Sequence, residues 1–394
     1  MAGRRSGSPV VALVVLLVVL TGCGGRSVAD PATADVQRLL DRRAAAVLGH
    51  DERAYAGTGG GPDYADLRAV PLDGWSYRVT GLHRTGDTAT VDAELRYRVA
   101  GYDGAPVTAG RTLRLSRDAD GRWSVDADRP AKKSAQQLWD QGAVQAVRGE
   151  HSLVLGVGQS GRSLREYAEL ADRAVPEVSR AWGTDWSRRL VVLVPKSLEA
   201  MAGLLGSPAS SYRGIAAVTT GETGAPARSP ADRVIVNPDA FALLGGLGDR
   251  VVVTHETTHV ATRRNTTAAT PLWLSEGYAD WVGYRATGRT PREAAPELSR
   301  AVAQGRVPAG LPTDEDFAFT GDASRLARAY ESGWTACRLI ADRWGESRLG
   351  DFYRAVGEHE KRAGAVEDAM REVLGTTPAE FTGLWQEYLR GQLG

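Results

Sequence analysis

The sequence is short of cysteine and of excess positive charge, and each shortage excludes a class of protein. Its 394 residues include two cysteines, Cys23 and Cys337, which are too few for a disulfide scaffold or a zinc site built from thiolates. The 48 Lys and Arg residues balance 48 Asp and Glu residues, for a net charge of +0. Because nucleic-acid binders concentrate positive charge, we expect no nucleic-acid partner. The length and composition are those of a folded protein of two or three domains.

An apolar segment near the start is too short to span a membrane. Val10–Leu20 contains no polar residue, but a membrane-spanning helix needs about 20 apolar residues. The segment follows Arg4 and Arg5 and fits the hydrophobic core of a signal peptide. Directly after it, Leu20-Thr21-Gly22-Cys23 resembles the lipobox of bacterial lipoproteins.

This resemblance implies a cellular location as well as a membrane anchor. It implies removal of a signal peptide over residues 1–22, lipidation of the Cys23 thiol, and a tether over residues 23–33. The body of the protein would then lie outside the cytoplasm, held to the bacterial cell membrane by its acyl chains. An ordinary secretory signal with an incidental cysteine, or an uncleaved anchor, is the alternative.

The pattern after the tether predicts a helix followed by an antiparallel sheet. Apolar residues recur at helical spacing from about Ala34 to Leu48. Four strand-like runs with turn signals between them then predict a meander. The runs are Trp75–His83, Thr88–Val99, Thr108–Ser116 and Trp123–Ala127. In pattern, residues 34–130 resemble the nuclear-transport-factor-2-like fold, an accessory domain of secreted bacterial proteins.

A second domain is predicted over residues 140–394, beyond a linker at residues 129–134. Short apolar strands alternate with helices at first, and from about Ala240 the pattern is nearly all helical. The predicted strands are Ser152–Val157, Leu190–Val194, Gly214–Thr219 and Arg233–Asn237, with an amphipathic helix over Leu164–Trp182. We therefore expect an α+β protein.

The helical part contains the motif HExxH, as His255-Glu256-Thr257-Thr258-His259. On a helix, residues four apart share a face, so the two imidazoles can bind one metal ion. Glu256 lies one residue around the helix and can reach a water on that ion. A catalytic zinc also needs a third protein ligand and an open position.

A carboxylate is the natural third ligand here. Thr262 and Asn265 stand where an extended HExxHxxGxxH motif would require Gly and His. Glu276 lies seventeen residues after His259, beyond a polar loop long enough to reverse the chain. If a second, antiparallel helix follows, Glu276 can meet the histidines. Asp280 lies one turn further on the same face, where it can accept the free ring N–H of a ligand histidine.

HExxH followed by Trp273-Leu274-Ser275-Glu276-Gly277-Tyr278-Ala279 resembles the gluzincins, in particular the peptidase MA-like group related to zinc aminopeptidases. The resemblance implies one zinc ion on His255, His259 and Glu276, with Glu256 as general base. The spacing of Glu276 and Asp280 resembles thermolysin-like gluzincins, in which the aspartate orients a zinc-bound histidine.

A later segment extends the resemblance to the aminopeptidase relatives. Tyr330-Glu331-Ser332-Gly333 resembles a segment that opens a helix there, and whose tyrosine hydroxyl stabilises the oxyanion. Tyr330 takes that candidate role, although it also lies on an apolar stripe and could be a core residue. Asp280 could likewise be a surface carboxylate.

One motif of those relatives is missing. The G-x-M-E-N segment that holds the amine of a substrate is not found. Gly214–Val218 stands in the corresponding edge-strand place without its glutamate, so aminopeptidase activity is not implied.

The sequence thus predicts a membrane-tethered, extracytoplasmic zinc peptidase that acts on peptides or proteins. A non-catalytic lipoprotein that uses the same scaffold for binding is the alternative. The sequence leaves the substrate and the oligomeric state open.

Overall fold

The computed structural model of this chain describes residues 31–221, 229–318 and 322–394. The predicted signal peptide, Cys23 and most of the predicted tether lie outside these ranges, so the structure does not bear on them. Within these three ranges, no helix combines the length and the apolar character needed to cross a membrane.

The described residues form fourteen α-helices and nine β-strands. The helices are α1 (Pro31–Leu48), α2 (Glu52–Ala56), α3 (Tyr64–Leu67), α4 (Gly161–Trp182), α5 (Leu198–Leu205), α6 (Pro238–Phe241), α7 (Gly245–Thr262), α8 (Leu272–Tyr284), α9 (Pro291–Ala294), α10 (Pro296–Ala303), α11 (Ala323–Trp344), α12 (Glu346–Gly357), α13 (Ala365–Ala369) and α14 (Pro378–Leu393). The strands are β1 (Leu72–Thr85), β2 (Thr88–Val99), β3 (Val107–Arg117), β4 (Trp123–Pro130), β5 (Val144–Arg148), β6 (Ser152–Val157), β7 (Leu190–Val194), β8 (Ala217–Thr219) and β9 (Arg233–Val236).

The first half contains the predicted helix and meander. Strands β1 to β4 pair in sequence order, each antiparallel to the next. Along β2, buried residues alternate with exposed ones, which is the pattern of a sheet with one face on a core. Helix α1 covers that face with Val36, Leu39, Leu40 and Val47. We refer to residues 31–130 as the N-terminal unit; its identification as nuclear-transport-factor-2-like stays a prediction.

A five-stranded mixed sheet follows, in the order β5-β6-β7-β9-β8. Strands β6, β7 and β9 are parallel, and β5 and β8 are antiparallel edge strands. Strand β5 was not predicted. Residues Val154, Val192 and Val234 face helices α4 and α7, whereas Leu153 and Ile235 pack into the same core as the N-terminal unit. The second sheet is therefore covered on both faces.

The remaining helices pack around a separate, aromatic-rich core. Five of its buried members are tryptophans, namely Trp182, Trp273, Trp281, Trp334 and Trp385. Cys337 is fully buried there, as expected of a small core residue. Helices α8 and α11 cross at the centre of this layer and carry several residues of the candidate site. The α+β class predicted from the sequence is confirmed.

Candidate metal centre

The HExxH motif lies in the last three turns of α7, which is packed between α4 and α8. Four residues apart, His255 and His259 point the same way, and their Nε2 atoms are 3.0 Å apart. The rings meet edge to face, with centroids 4.7 Å apart. Helix geometry alone therefore brings two imidazole nitrogens to one point, as the spacing predicts.

A short loop then reverses the direction of the chain and brings Glu276, the third candidate ligand, next to the two histidines. Hydroxyl groups of the loop bond to helix α12, with Thr266 to the Tyr353 hydroxyl (2.7 Å) and Thr267 to the Gly357 carbonyl (3.0 Å). The predicted antiparallel helix is present as α8, and Glu276 lies in its second turn. Its Oε2 lies 3.2 Å from His255 Nε2 and 3.5 Å from His259 Nε2.

These three atoms fit the requirements of a tetrahedral metal ion. Ligands about 2.0–2.1 Å from such an ion lie about 3.3 Å from one another. The three observed separations are 3.0, 3.2 and 3.5 Å. The three side chains keep between 13% and 17% of their surface exposed, so solvent reaches the cluster. Two imidazoles, one carboxylate and an accessible side form the donor set of a catalytic zinc site.

Asp280 holds one of the imidazoles in a defined orientation. Its Oδ1 lies 2.8 Å from His255 Nδ1. We assign the ring proton to Nδ1, which leaves the Nε2 lone pair directed at the cluster. Without an ion, burial lowers the pKa of His255, but the carboxylates of Asp280 and Glu276 outweigh burial and raise it well above its usual value. Burial raises the pKa of Glu276, but the two imidazoles outweigh it and lower that pKa well below its usual range.

Glu256 is buried beside the cluster, and a residue that the sequence did not identify holds its carboxylate. The hydroxyl of Thr219 donates a 2.6 Å hydrogen bond to Glu256 Oε2. Thr219 is the last residue of the edge strand β8, and its hydroxyl also lies 3.1 Å from the backbone carbonyl of Glu256, so this one side chain joins the strand to the general-base candidate. This contact depends on the register of β8 against β9, which the sequence pattern does not specify.

Tyr330 also lies at the cluster, but its place in the fold differs from the prediction. It does not open a helix, because α11 begins at Ala323, where the Asp322 side chain caps the N-terminus. The ring centroid of Tyr330 lies 6.5 Å from that of His255. Burial first, and then the carboxylates of Glu276, Asp280 and Glu256, raise the pKa of Tyr330 well above its usual value. Its hydroxyl therefore stays protonated at neutral pH and can donate a hydrogen bond.

A pair of glycines brings Tyr330 close to Glu276. Helices α8 and α11 cross at Gly277 and Gly333, the first directly after Glu276 and the second three residues after Tyr330. A Cβ at Gly277 would lie 2.3 Å from the carbonyl carbon and oxygen of Gly333. Only glycines permit so close a crossing, and the periodicity of the two helices gives no sign of it.

The structure thus brings together the six predicted side chains at residues 255, 256, 259, 276, 280 and 330. Cys23, the predicted lipidation site, lies outside the described residues.

Comparisons with known proteins add distant similarities only. No protein-family model matches the chain, and no curated protein matches it. Among solved structures, it is similar to yeast LTA4 hydrolase, with a TM-score of 0.40 and 14% identity over 71% of this chain. The match covers 44% of the yeast protein, so the chain spans less than half of that protein's length.

Two further similar structures are M1 zinc metallopeptidase mutants. One is a two-domain enzyme bound to L-arginine, with a TM-score of 0.37 and 11% identity over 84% of this chain and 97% of that chain. The other, from Deinococcus radiodurans, is bound to a Tyr-Ser-Ala substrate, with a TM-score of 0.35 and 10% identity over 84% of this chain and 96% of that chain. At such low identities and scores, the function has to be inferred from the residues of this chain.

Proposed function

We propose that this chain is a zinc-dependent peptidase that hydrolyses peptide bonds with Glu256 as general base. The observation that carries the proposal is the convergence of His255 Nε2, His259 Nε2 and Glu276 Oε2 within 3.5 Å of one another. These three side chains would hold the ion. When bound, zinc polarises a carbonyl oxygen and lowers the pKa of a coordinated water to about 7.

The chain's own residues supply the proton transfers and the oxyanion contact. Glu256 is placed to accept a proton from the attacking water and to pass it to the leaving amine. The protonated Tyr330 hydroxyl is placed to donate to the oxyanion that develops on the substrate carbonyl. Asp280 keeps His255 in the tautomer that presents Nε2 to the ion.

Strand β8 offers a surface for the backbone of an extended peptide. On the β9 side, Asn237 N donates to the Ala216 carbonyl and Thr220 N donates to the Arg233 carbonyl. In an antiparallel pair the bonded positions alternate, so the backbone groups of Ala217 and Thr219 point outward, along the edge with which no described strand pairs. A substrate that adds a strand there would lie next to Glu256, which Thr219 contacts.

The same edge gives no reason to expect a requirement for a free amino terminus. The segment Gly214–Val218 carries no acidic side chain that could hold a substrate amine. We therefore propose recognition of the peptide backbone. For its location, we propose a lipid anchor on Cys23 that holds the enzyme on the outer side of the cell membrane.

Metal analysis together with digestion of a mixed peptide library tests the proposed function. We expect one zinc per chain and cleavage that chelation abolishes and zinc restores. Glu256→Gln should keep the zinc and lose cleavage by at least about 100-fold, because general-base catalysis contributes that much. Glu166→Gln, on an exposed face of α4, is the matched control and should cleave normally.

Two results would contradict the proposal. Full cleavage by Glu256→Gln would rule out the assigned base. One zinc per chain with no cleavage of N-terminally free or acetylated peptides would indicate the alternative, a zinc-containing binding protein.

A further inference from the structure

A turn of the N-terminal unit forms hydrogen bonds and an ion pair with the segment that leads into strand β9. The Asp103 side chain, on the turn between β2 and β3, is fully buried. Its carboxylate accepts hydrogen bonds from Val99 N (2.7 Å), Ala231 N (2.9 Å) and Arg233 Nη2 (2.9 Å). The second terminal nitrogen of Arg233, Nη1, lies 2.9 Å from Asp103 Oδ1 as an ion pair and donates to the Ala231 carbonyl (2.6 Å). Such a two-pronged arginine–carboxylate pair fixes orientation as well as distance.

The backbone of the same turn adds two more bonds. Gly104 N and Ala105 N both donate to the carbonyl of Ser229, at 3.1 and 3.2 Å. We call the contact of residues 103–105 with residues 229–233 the Asp103 clamp. It connects two parts of the chain more than 100 residues apart, and its central ion pair is shielded from solvent.

The clamped segment is bonded directly to the end of strand β8. Thr220 N donates to Arg233 O (2.8 Å), and Arg233 N donates to the Thr220 hydroxyl (3.1 Å). Asp232 accepts from Arg263 Nε (3.1 Å) at the end of α7. The position of Thr220 therefore depends on the segment that Asp103 holds.

Thr219, the next residue along, is the one that bonds to Glu256. Strand β8 is three residues long and, among the described residues, pairs on one side only, with β9. A short edge strand has little stability of its own, because few hydrogen bonds and contacts hold it. We therefore expect the bonds between Thr220 and Arg233 to hold the end of β8 in place, and with it the hydrogen bond from the Thr219 hydroxyl to the Glu256 carboxylate.

We propose that the N-terminal unit is a positioning element of the catalytic centre, in which Asp103 orients Glu256 through Arg233, Thr220 and Thr219. This inference rests on the proposed peptidase function. Asp103 does not touch the reacting atoms, so it is a positioning residue. Its loss should lower kcat more than it raises KM, because the ligands His255, His259 and Glu276 stay in place.

The test compares Asp103→Asn with Thr219→Val, the double variant and a control, all in the full chain. Thr219→Val removes the hydroxyl at nearly constant volume and should lower kcat about tenfold. Asp103→Asn should lower kcat to a similar extent, with one zinc per chain retained. The double variant should lose no more than Thr219→Val alone, because both changes act on one contact.

Asp128→Asn is the matched control. Asp128 is buried in the N-terminal unit and bonds to Arg111 Nε (2.7 Å) and the Tyr77 hydroxyl (2.9 Å), and its substitution should lower the melting temperature but not kcat. Should Asp103→Asn fail to accumulate as folded protein, Arg233→Lys replaces it. That variant keeps the charge, loses the two-pronged contact and should show a smaller loss of kcat.

Hydrogen exchange of the peptide that contains β8 supplies a readout independent of activity. Asp103→Asn should speed exchange there, whereas Asp128→Asn should not. Unchanged exchange, unchanged kcat, or losses that multiply in the double variant would each overturn the clamp while leaving the peptidase function intact. A wild-type protein that binds zinc but cleaves nothing would instead overturn the proposed function and the inference with it.

Discussion

Replacing Gly277 by alanine tests whether the crossing of α8 and α11 builds the candidate site. The added Cβ would lie 2.3 Å from the carbonyl carbon and oxygen of Gly333. Non-bonded carbon atoms prefer separations of about 3.5–4.0 Å, so the two helices would have to move apart by about 1 Å. Glu276 is on one helix and Tyr330 on the other, so the displacement falls between a metal-ligand candidate and the proposed oxyanion donor.

Two opposing effects set the expected change in stability. Alanine in place of glycine inside a helix stabilises by up to about 1 kcal/mol. Forcing extra volume into a packed contact destabilises by about 1–3 kcal/mol. We expect Gly277→Ala to lower the free energy of unfolding by up to about 2 kcal/mol. A displacement of about 1 Å in the site should also lower kcat on the order of 100-fold.

Gly383 provides the matched control. It lies on an exposed face inside α14, and a Cβ there would have no atom within 4 Å. Gly383→Ala should therefore raise the free energy of unfolding by about 0.5–1 kcal/mol and leave kcat unchanged. Urea denaturation and steady-state cleavage assays measure both quantities. If Gly277→Ala matched Gly383→Ala in stability and in kcat, the close crossing would not be what positions Tyr330.

Two further predictions concern single carboxyl groups. Asp280→Asn should weaken zinc binding by about 10- to 100-fold in competition with a chromophoric chelator, because the histidine loses its orienting partner; an unchanged affinity would contradict that role. Glu331 accepts hydrogen bonds from the backbone N–H groups of Glu297 and Leu298, and burial raises its pKa from 4.5 to about 7. The folded state thus holds an extra proton between these two values, so the contribution of Glu331 to the free energy of unfolding is present below pH 4.5 and is lost as the pH rises through about 7. Chemical denaturation of the wild type and Glu331→Gln across this window should show a steeper fall for the wild type, and parallel curves would refute the assignment.

The part of the site that the sequence predicts depends on local geometry. His255, Glu256, His259, Glu276 and Asp280 lie within 26 residues, on two helices and the loop between them. Helical periodicity fixes which residues share a face, and the loop between the helices is long enough to reverse the direction of the chain. The motif and its resemblance to the gluzincins were therefore enough to place these side chains near one another.

The rest of the site depends on contacts between distant segments. Thr219 meets Glu256 across 37 residues, and the register of a three-residue strand decides whether its hydroxyl points at the carboxylate. The Gly277–Gly333 crossing depends on how two helices pack, which periodicity does not specify. The start of α11 differs from the prediction for a similar reason. The motif predicts that Tyr330 opens a helix, whereas α11 begins at Ala323, at the cap supplied by Asp322.

The charges around the cluster give a physical reason for a bound cation. Glu256, Glu276 and Asp280 are all largely buried; Glu276 lies at the Nε2 atoms of the two histidines, whereas Asp280 lies at Nδ1, on the other side of the His255 ring. Across residues 31–221, 229–318 and 322–394, Glu276 and Asp280 pair with the imidazoles of His255 and His259, Glu256 accepts from the Thr219 hydroxyl, and none of the three carboxylates pairs with lysine or arginine. Buried carboxylates are costly unless they are paired with a cation or bind a metal ion. A divalent ion on the three converging atoms would supply the missing positive charge, which favours metal binding over a histidine pair that is merely hydrogen-bonded.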